Sequence, residues 1–137
     1  MIRIINLTAD LTDNEFFKKI AKIVLRGENQ GNKDLSIVLV NQDKIKELNR
    51  KYRKKNKATD VLSFELGDVI ICLPEVKKNA KIYQTTFKEE LIRVLIHGIL
   101  HLLGYDHKKT KIKAEEMRKK EEKYFLNFKF QQKHGKK

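Results

Sequence analysis

Hydrophobic and polar residues alternate with different periods along the chain, and the N-terminal third predicts a β-α-β start. The segments 2–8 (IRIINLT) and 34–40 (DLSIVLV) are short, rich in β-branched residues and therefore typical of strands. The second is almost entirely apolar, which predicts a central position in a sheet. Between them Thr12 is a candidate N-cap, and Gly27 or Gly31 is expected to end a helix. Its apolar face is formed by Phe16, Ile20, Ile23 and Val24.

The middle of the chain predicts a short helix followed by a β-hairpin. Asn41 is expected to cap a helix over 42–52. The inner side of this helix is predicted to carry Ile45, Leu48 and Tyr52. After a basic loop, two strand-like runs at 61–66 and 69–73 are separated by a Gly-Asp pair, which favours a tight or bulged turn.

Three further helices are predicted in the C-terminal half. One begins at Pro74 and covers 74–83, because proline is tolerated at the first helical position. The segment 86–104 is apolar on almost every side, so it is expected to be buried in the middle of the domain. The segment 109–128 is amphipathic, and 129–137 is expected to be a basic, loose tail. The residues spaced along the inner side of 109–128 are Ile112, Glu116 or Met117, Lys120 and Tyr124.

These elements predict a single α+β domain over 1–128, with a small mixed sheet of about four strands and about five helices. One central buried helix is expected to carry the candidate metal-binding residues.

The net charge of the chain indicates which kind of binding partner to expect. The net charge of +13 comes from 31 basic and 18 acidic residues, which favours a polyanion, and nucleic acid first among polyanions. A general lysine bias in the composition would give the same charge without any such partner.

The single cysteine, Cys72, cannot form an internal disulfide and suits a reducing cytosol. We find no signal-peptide pattern and no apolar run near the ~20 residues of a membrane span, so a soluble, cytoplasmic protein without a membrane partner is expected.

The segment 97–107, HGILHLLGYDH, has the spacing of a metal site. His97 and His101 are four residues apart on a helix, so both imidazoles project from one face. Gly104 allows the chain to turn out of the helix, and His107 can then return as a third ligand. Three histidines leave one position of a tetrahedral zinc open, which is typical of catalytic rather than structural sites. We therefore predict one zinc ion, although nickel, copper and iron also bind imidazole. Cys72 could be a fourth ligand, but the sequence favours a thiol buried in a strand at this position.

The same spacing occurs in metzincin peptidases, but those enzymes have a catalytic glutamate where this chain has Gly98. Glycine cannot move a proton, so we interpret it as a point of close approach by a strand, another backbone or a substrate. Phosphodiester cleavage depends more on neutralising the phosphoryl oxygens than on a protonated amine leaving group. Zinc can lower the pKa of a bound water to about 7 and polarise a phosphoryl oxygen. Asp60, Glu65 and Asp106 are candidates for a general base or for carboxylates that orient the histidines.

These residues resemble a known family. HGILHLLGYDH, the segment 48–72 (LNRKYRKKNKATDVLSFELGDVIIC) and EEMRKKEE at 115–122 are similar, in order and spacing, to the YbeY family of bacterial endoribonucleases. The resemblance implies a three-histidine metal site at His97, His101 and His107, and cleavage of single-stranded RNA. It further implies maturation of ribosomal RNA, notably at the 3′ end of the small-subunit RNA, and a role in ribosome quality control. The partners it implies are single-stranded ribosomal RNA and the small ribosomal subunit.

The family's functional arginine corresponds to Arg53, which together with His97 is the predicted catalytic pair. Arg53 lies in the segment 44–57, where eight of fourteen residues are Lys or Arg. Its planar guanidinium can bind a phosphate through two hydrogen bonds. Tyr52 and Tyr105 can stack on unpaired bases or pack internally. Two other functions stay open at this point: a metallopeptidase-like hydrolase, and a non-catalytic ribosome assembly factor with a structural metal.

Overall fold

The computed structural model describes residues 1–64, 66–106, 108 and 110–134. The described residues form an α+β domain with five helices and one four-stranded mixed sheet, as the sequence predicts. In chain order the elements are β1 (Ile2–Asn6), α1 (Asn14–Gly27), β2 (Leu35–Val40), α2 (Gln42–Arg53), β3 (Val61–Phe64), β4 (Asp68–Cys72), α3 (Leu73–Tyr83), α4 (Phe87–Leu102) and α5 (Lys111–His134).

The strands follow the order β1-β2-β4-β3 across the sheet. The first three are parallel, and β3 is antiparallel to β4. The central position predicted for the apolar strand is confirmed, because β2 pairs with β1 on one side and with β4 on the other. The hairpin is also confirmed, with Val61 opposite Ile71 and Phe64 opposite Asp68. Asp68 therefore begins β4 and does not belong to the turn.

The helix α4 lies in the middle of the domain and contacts α1, α3, α5, β3 and β4. Most of its residues are buried, which confirms the prediction of a central buried helix. It begins at the N-cap Thr86, whose hydroxyl accepts a hydrogen bond from the backbone N–H of Glu89 at 3.0 Å. It ends in a Schellman motif, with the N–H of Tyr105 donating to the carbonyl of Leu100 at 3.1 Å. Gly104 has a φ of +109° at this turn, as predicted.

Two helices begin at other residues than predicted. The N-cap of α1 is Asp13 and not Thr12, because the Asp13 carboxylate accepts from the N–H of Glu15 at 3.0 Å. The hydroxyl of Thr12 instead accepts from Asn6 at 3.4 Å. Similarly, α3 begins at Leu73, so that Pro74 is its second residue.

The inner faces of α2 and α5 differ from the predicted ones in part. On α2, Ile45 is buried, but Tyr52 is 52% exposed and Asn49 is buried in its place. Asn49 tolerates burial because its amide donates to the carbonyl of Lys57 at 3.0 Å. On α5, Met117 and Tyr124 are buried, whereas Ile112 is 81% exposed.

The last helix also extends further than predicted. It continues to His134, so residues 129–134, which were expected to be a loose tail, are helical. Phe128 is buried at this end, and Lys129 forms an ion pair with Glu89 of α4 at 3.1 Å. These contacts hold the helix against α4 beyond the expected boundary. In the described chain, no helix is both long enough and apolar enough to cross a lipid bilayer.

Candidate active site

His97 and His101 lie on the last turns of α4, and their ring centroids are 6.3 Å apart with the planes tilted by 42°. A tetrahedral zinc with bonds of about 2.0–2.1 Å to two imidazoles places their centroids roughly 5 Å apart. The two rings are therefore further apart in the structure than in such a zinc site. His107, the third predicted ligand, lies outside the described residues, as does Glu65.

Glu121 of α5 contacts His97 directly, with its Oε2 against Nδ1 of the ring. A carboxylate on one ring nitrogen fixes the tautomer and orientation of a metal-binding histidine and leaves Nε2 for the ion. Glu121 is not among the site residues predicted from the sequence. The signal that could have revealed it is the spacing of Met117, Glu121 and Tyr124, which places a glutamate on the buried face of α5.

Gly98 is the point of close approach that the sequence predicts. The hydroxyl of Ser63 in β3 donates a hydrogen bond to the carbonyl of Gly98 at 2.7 Å. A Cβ atom at Gly98 would lie 2.8 Å from Cγ1 of Val69 and 3.0 Å from Cγ2 of Val61. The partner that approaches Gly98 is thus the β3–β4 hairpin.

Arg53, at the end of α2, is held on the same hairpin. Its Nη2 donates to the carbonyl of Ser63 at 2.7 Å, and its guanidinium lies 5.1 Å from the centroid of the Phe64 ring. Ser63 therefore connects Arg53 to the backbone of Gly98, the residue that follows His97. The two predicted catalytic residues, Arg53 and His97, belong to one connected region of the structure.

Next to His97, a cleft of about 290 Å³ opens between α4, α5 and the start of β3. We call it the acidic cleft; its lining residues are Asp60, Val61, Tyr83, Glu90, Arg93, Val94, Ile96, His97 and Glu121. Glu90 is only 8% exposed. Burial raises the pKa of the Glu90 carboxyl, and the nearby negative charge of Asp60 raises it further, while Arg93 acts in the opposite direction.

The acidic cleft contains one of the predicted candidates for a base or an orienting carboxylate. Asp60 lines it and accepts a hydrogen bond from the amide of Asn79 at 3.2 Å. Asp106, by contrast, accepts from the backbone N–H of Lys108 at 2.8 Å and so shapes the turn after α4. The carboxylate that orients His97 in the structure is Glu121, which was not among the candidates.

Tyr105 is part of a partly buried polar cluster, which we call the Glu28 cluster: Glu28, Tyr105, Lys120 and Tyr124. Both tyrosine hydroxyls donate to the Glu28 carboxylate, and Lys120 forms an ion pair with it at 3.0 Å. Burial acts to raise the pKa of Glu28, but these hydrogen bonds outweigh burial and lower it. Tyr105 therefore has an internal structural contact. Tyr52 is the more exposed of the two tyrosines considered for base stacking, with its ring edge-on to Phe64 at 5.5 Å.

Within residues 1–64, 66–106, 108 and 110–134, no three His, Cys, Asp or Glu side chains are arranged to bind a metal together. The three-histidine ligand set thus stays a prediction. Cys72 is buried on β4, and burial raises the pKa of its thiol, which fits the strand thiol that the sequence favours.

The chain is similar to one family of known proteins. A family model described as "Endoribonuclease YbeY" matches residues 5–129. Among similar proteins, the endoribonuclease YbeY of Persephonella marina is 42% identical over 125 residues, which is 82% of each chain. That of Thermodesulfovibrio yellowstonii is 45% identical over 123 residues, which cover 82% of this chain and 76% of the relative.

A solved structure shows the same architecture. The solution structure of TM1509 from Thermotoga maritima matches with a TM-score of 0.66 and 34% identity, over 91% of this chain and 87% of that one. The comparisons thus identify an enzyme of the RNA-cleaving class with this α+β fold. The chain belongs to the YbeY family of endoribonucleases. The resemblance stated from the sequence is confirmed.

Proposed function

We propose that this chain is a zinc-dependent endoribonuclease specific for single strands, which matures ribosomal RNA at the 3′ end of the small-subunit RNA. In this proposal it acts in the cytoplasm on the small ribosomal subunit and contributes to ribosome quality control. The observation that carries the metal part is the contact of Glu121 with Nδ1 of His97. Metal-binding histidines usually donate a hydrogen bond from the N–H of their second ring nitrogen to a carboxylate or another acceptor.

The residues present fit zinc. Two imidazoles separated by one helical turn, one of them oriented by a carboxylate, are donors that zinc prefers. In the proposal His97 binds through Nε2, His101 is the second ligand and His107 the third. When bound, the zinc ion supplies Lewis-acid activation of water and of a phosphoryl oxygen.

The chain's own residues hold the RNA strand. Arg53 offers a planar fork that can bind two oxygens of one phosphate, and the Phe64 ring supports its guanidinium from one side. The basic residues of α2 around it are exposed, so they attract and position the phosphate backbone without reading its sequence. The Ser63 contacts keep Arg53 and α4 in a fixed relative position.

The packing around Gly98 argues against the metallopeptidase alternative. A glutamate at this position would begin with a Cβ atom 2.8 Å from Val69, a buried residue of the sheet. The hairpin thus fills the space that a metzincin-type catalytic glutamate needs. The assembly-factor alternative differs from the proposal in predicting RNA affinity without new RNA ends.

The test is cleavage of a precursor small-subunit RNA by the purified chain, with the 3′ ends mapped at nucleotide resolution. We expect cleavage that stops when a chelator removes the metal and returns when zinc is added. His101→Ala and Arg53→Ala should each abolish most of it, while Arg3→Ala, on the exposed face of β1, should not. Equal activity in all variants, with or without chelator, would show that the cleavage does not take place at the histidine site.

A further inference from the structure

The acidic cleft contains a carboxylate that the described part of the chain leaves unsatisfied. Glu90 is 8% exposed and lines the cleft. No residue within 1–64, 66–106, 108 and 110–134 donates a hydrogen bond to its side chain. Its carboxylate oxygens still reach the open cleft, because they are not among the fully buried side-chain atoms that lack a hydrogen-bond partner in the described residues. Largely buried carboxylates in native proteins usually have hydrogen-bond donors as partners. A ligand that brings N–H donors into the cleft would supply that partner.

We propose that the acidic cleft binds one unpaired nucleobase of the RNA strand, of the kind that carries an exocyclic amino group, beside the phosphate held at His97. This proposal rests on the proposed function of the histidine site, because it places the base next to the cleaved phosphate.

Distance along α4 argues for base binding and against a direct role of Glu90 in the chemistry. Glu90 precedes His97 by seven residues, which corresponds to about 10 Å along a helix axis. A general acid or base has to lie within about 3 Å of the atom whose proton it transfers. This spacing along the helix favours a contact with a neighbouring nucleotide over proton transfer at a phosphate bound at His97. The same separation suits the base of a neighbouring nucleotide, which extends away from the backbone.

The walls of the cleft fit a flat, partly apolar ring. Val61, Val94 and Ile96 give it apolar sides, and Tyr83, which is 62% exposed, supplies an aromatic ring for stacking. Arg93 forms contacts with residues other than Glu90: its guanidinium lies 3.8 Å from the centroid of Phe125 and pairs with Glu122 at 3.3 Å. A volume of about 290 Å³ is at the lower end for ligand sites, which suits one ring system.

The hydrogen-bonding groups in the cleft select among the four bases. Ionised carboxylates only accept hydrogen bonds, and one oxygen of Asp60 already accepts from Asn79. Guanine presents two adjacent donors, N1–H and its amino group, which match one carboxylate. Cytosine and adenine each present an amino group, whereas both exocyclic groups of uracil are oxygens. We therefore expect guanine to bind best and uracil worst.

The experiment measures binding, not cleavage, so its outcome is independent of catalysis. Fluorescently labelled hexauridine is compared with hexamers in which one central uridine is replaced by guanosine, cytidine or adenosine. The full chain is used, with chelator present to prevent cleavage. The single guanosine should raise the affinity about tenfold, as one good two-point base contact does.

Two matched variants locate the effect. Glu90→Gln should remove the preference for guanosine while keeping the affinity for hexauridine. Glu89→Gln makes the same charge change on the neighbouring residue, which pairs with Lys129 instead of lining the cleft, and should keep the preference. Equal binding of all four hexamers by the unmodified chain would overturn the proposal, even if a variant failed to fold. A guanosine preference that Glu90→Gln retains would also overturn it, because the preference would then belong to another surface.

The binding experiment and the cleavage experiment test the two proposals separately. A base preference without cleavage would contradict the proposed function alone, and cleavage without a base preference would contradict the cleft alone.

Discussion

The carboxylate of Glu121 lies against Nδ1 of His97, although the two residues are 24 positions apart and belong to different helices. This contact joins the predicted metal helix α4 to α5 and sets the orientation of the ring. The site thus depends on how two helices pack as well as on the spacing of its histidines.

We predict that Glu121→Gln lowers the zinc affinity of the chain by about 10–100-fold, because a weaker hydrogen-bond acceptor leaves the His97 ring less well oriented. Competition with a coloured chelator measures this affinity. Glu122→Gln is the matched control, since Glu122 is exposed and pairs with Arg93. Equal affinities for both variants would mean that the Glu121 contact does not serve a metal.

We predict that Arg53→Lys reduces RNA cleavage about tenfold or more, because lysine keeps the charge but loses the planar fork. The loss of a hydrogen bond to a charged group is worth about 1.5–3 kcal/mol, which corresponds to such a factor. Single-turnover cleavage is the measurement.

Arg50→Lys, on the same helix and exposed, is the control for Arg53→Lys and should leave the rate nearly unchanged. A similar loss in both variants would assign the effect to general charge or to helix stability instead of Arg53.

We predict that Gly98→Ala lowers the free energy of unfolding by about 1–3 kcal/mol, the usual range for overpacking a core. The added methyl group would lie 2.8 Å from Val69 and 3.0 Å from Val61, so the hairpin must shift. Urea denaturation followed by circular dichroism measures the change. Gly31→Ala is the control, because the nearest atom to its added Cβ is a side-chain carbon of Arg26 at 4.0 Å. A Gly98→Ala variant as stable as Gly31→Ala would contradict the close approach of the hairpin.

The Glu28 cluster predicts a dependence of stability on pH. The folded-state pKa of Glu28 is below its ordinary value of 4.5, so its ionised form stabilises the fold at pH values above 4.5. That contribution is lost as the pH falls below 4.5 and through the lowered pKa. We expect Glu28→Gln to cost about 1–3 kcal/mol near neutral pH.

The test of this dependence is the free energy of unfolding of both forms measured across the acid range. The difference between the unmodified chain and Glu28→Gln should be constant at neutral pH and shrink below pH 4.5. Glu47→Gln, an exposed residue paired with Lys44, should show almost no difference at any pH. A difference for Glu28→Gln that persists unchanged in acid would contradict the lowered pKa.

Predictions that depend on local pattern agree well with the structure, and those that depend on contacts between elements agree less. The central helix, the apolar middle strand and the turn at Gly104 follow from periodicity and backbone conformation within a few residues. The N-cap of α1 is Asp13 and not the predicted Thr12, because both residues could accept from the first N–H groups of the helix. The Thr12 hydroxyl accepts a hydrogen bond from the Asn6 amide instead. The extension of α5 to His134 involves its packing on α4, which periodicity does not show.

By itself, the sequence determined the order of elements, the four-residue spacing of His97 and His101, and the role of Gly98 as a contact point. It could do so because helix geometry relates residues within one turn regardless of the rest of the fold. Only the tertiary structure placed Glu121 on His97, tied Arg53 to Ser63 and enclosed Glu90 in the acidic cleft. The reason is physical: these contacts join different elements, so they are set by how the faces of helices and strands pack together.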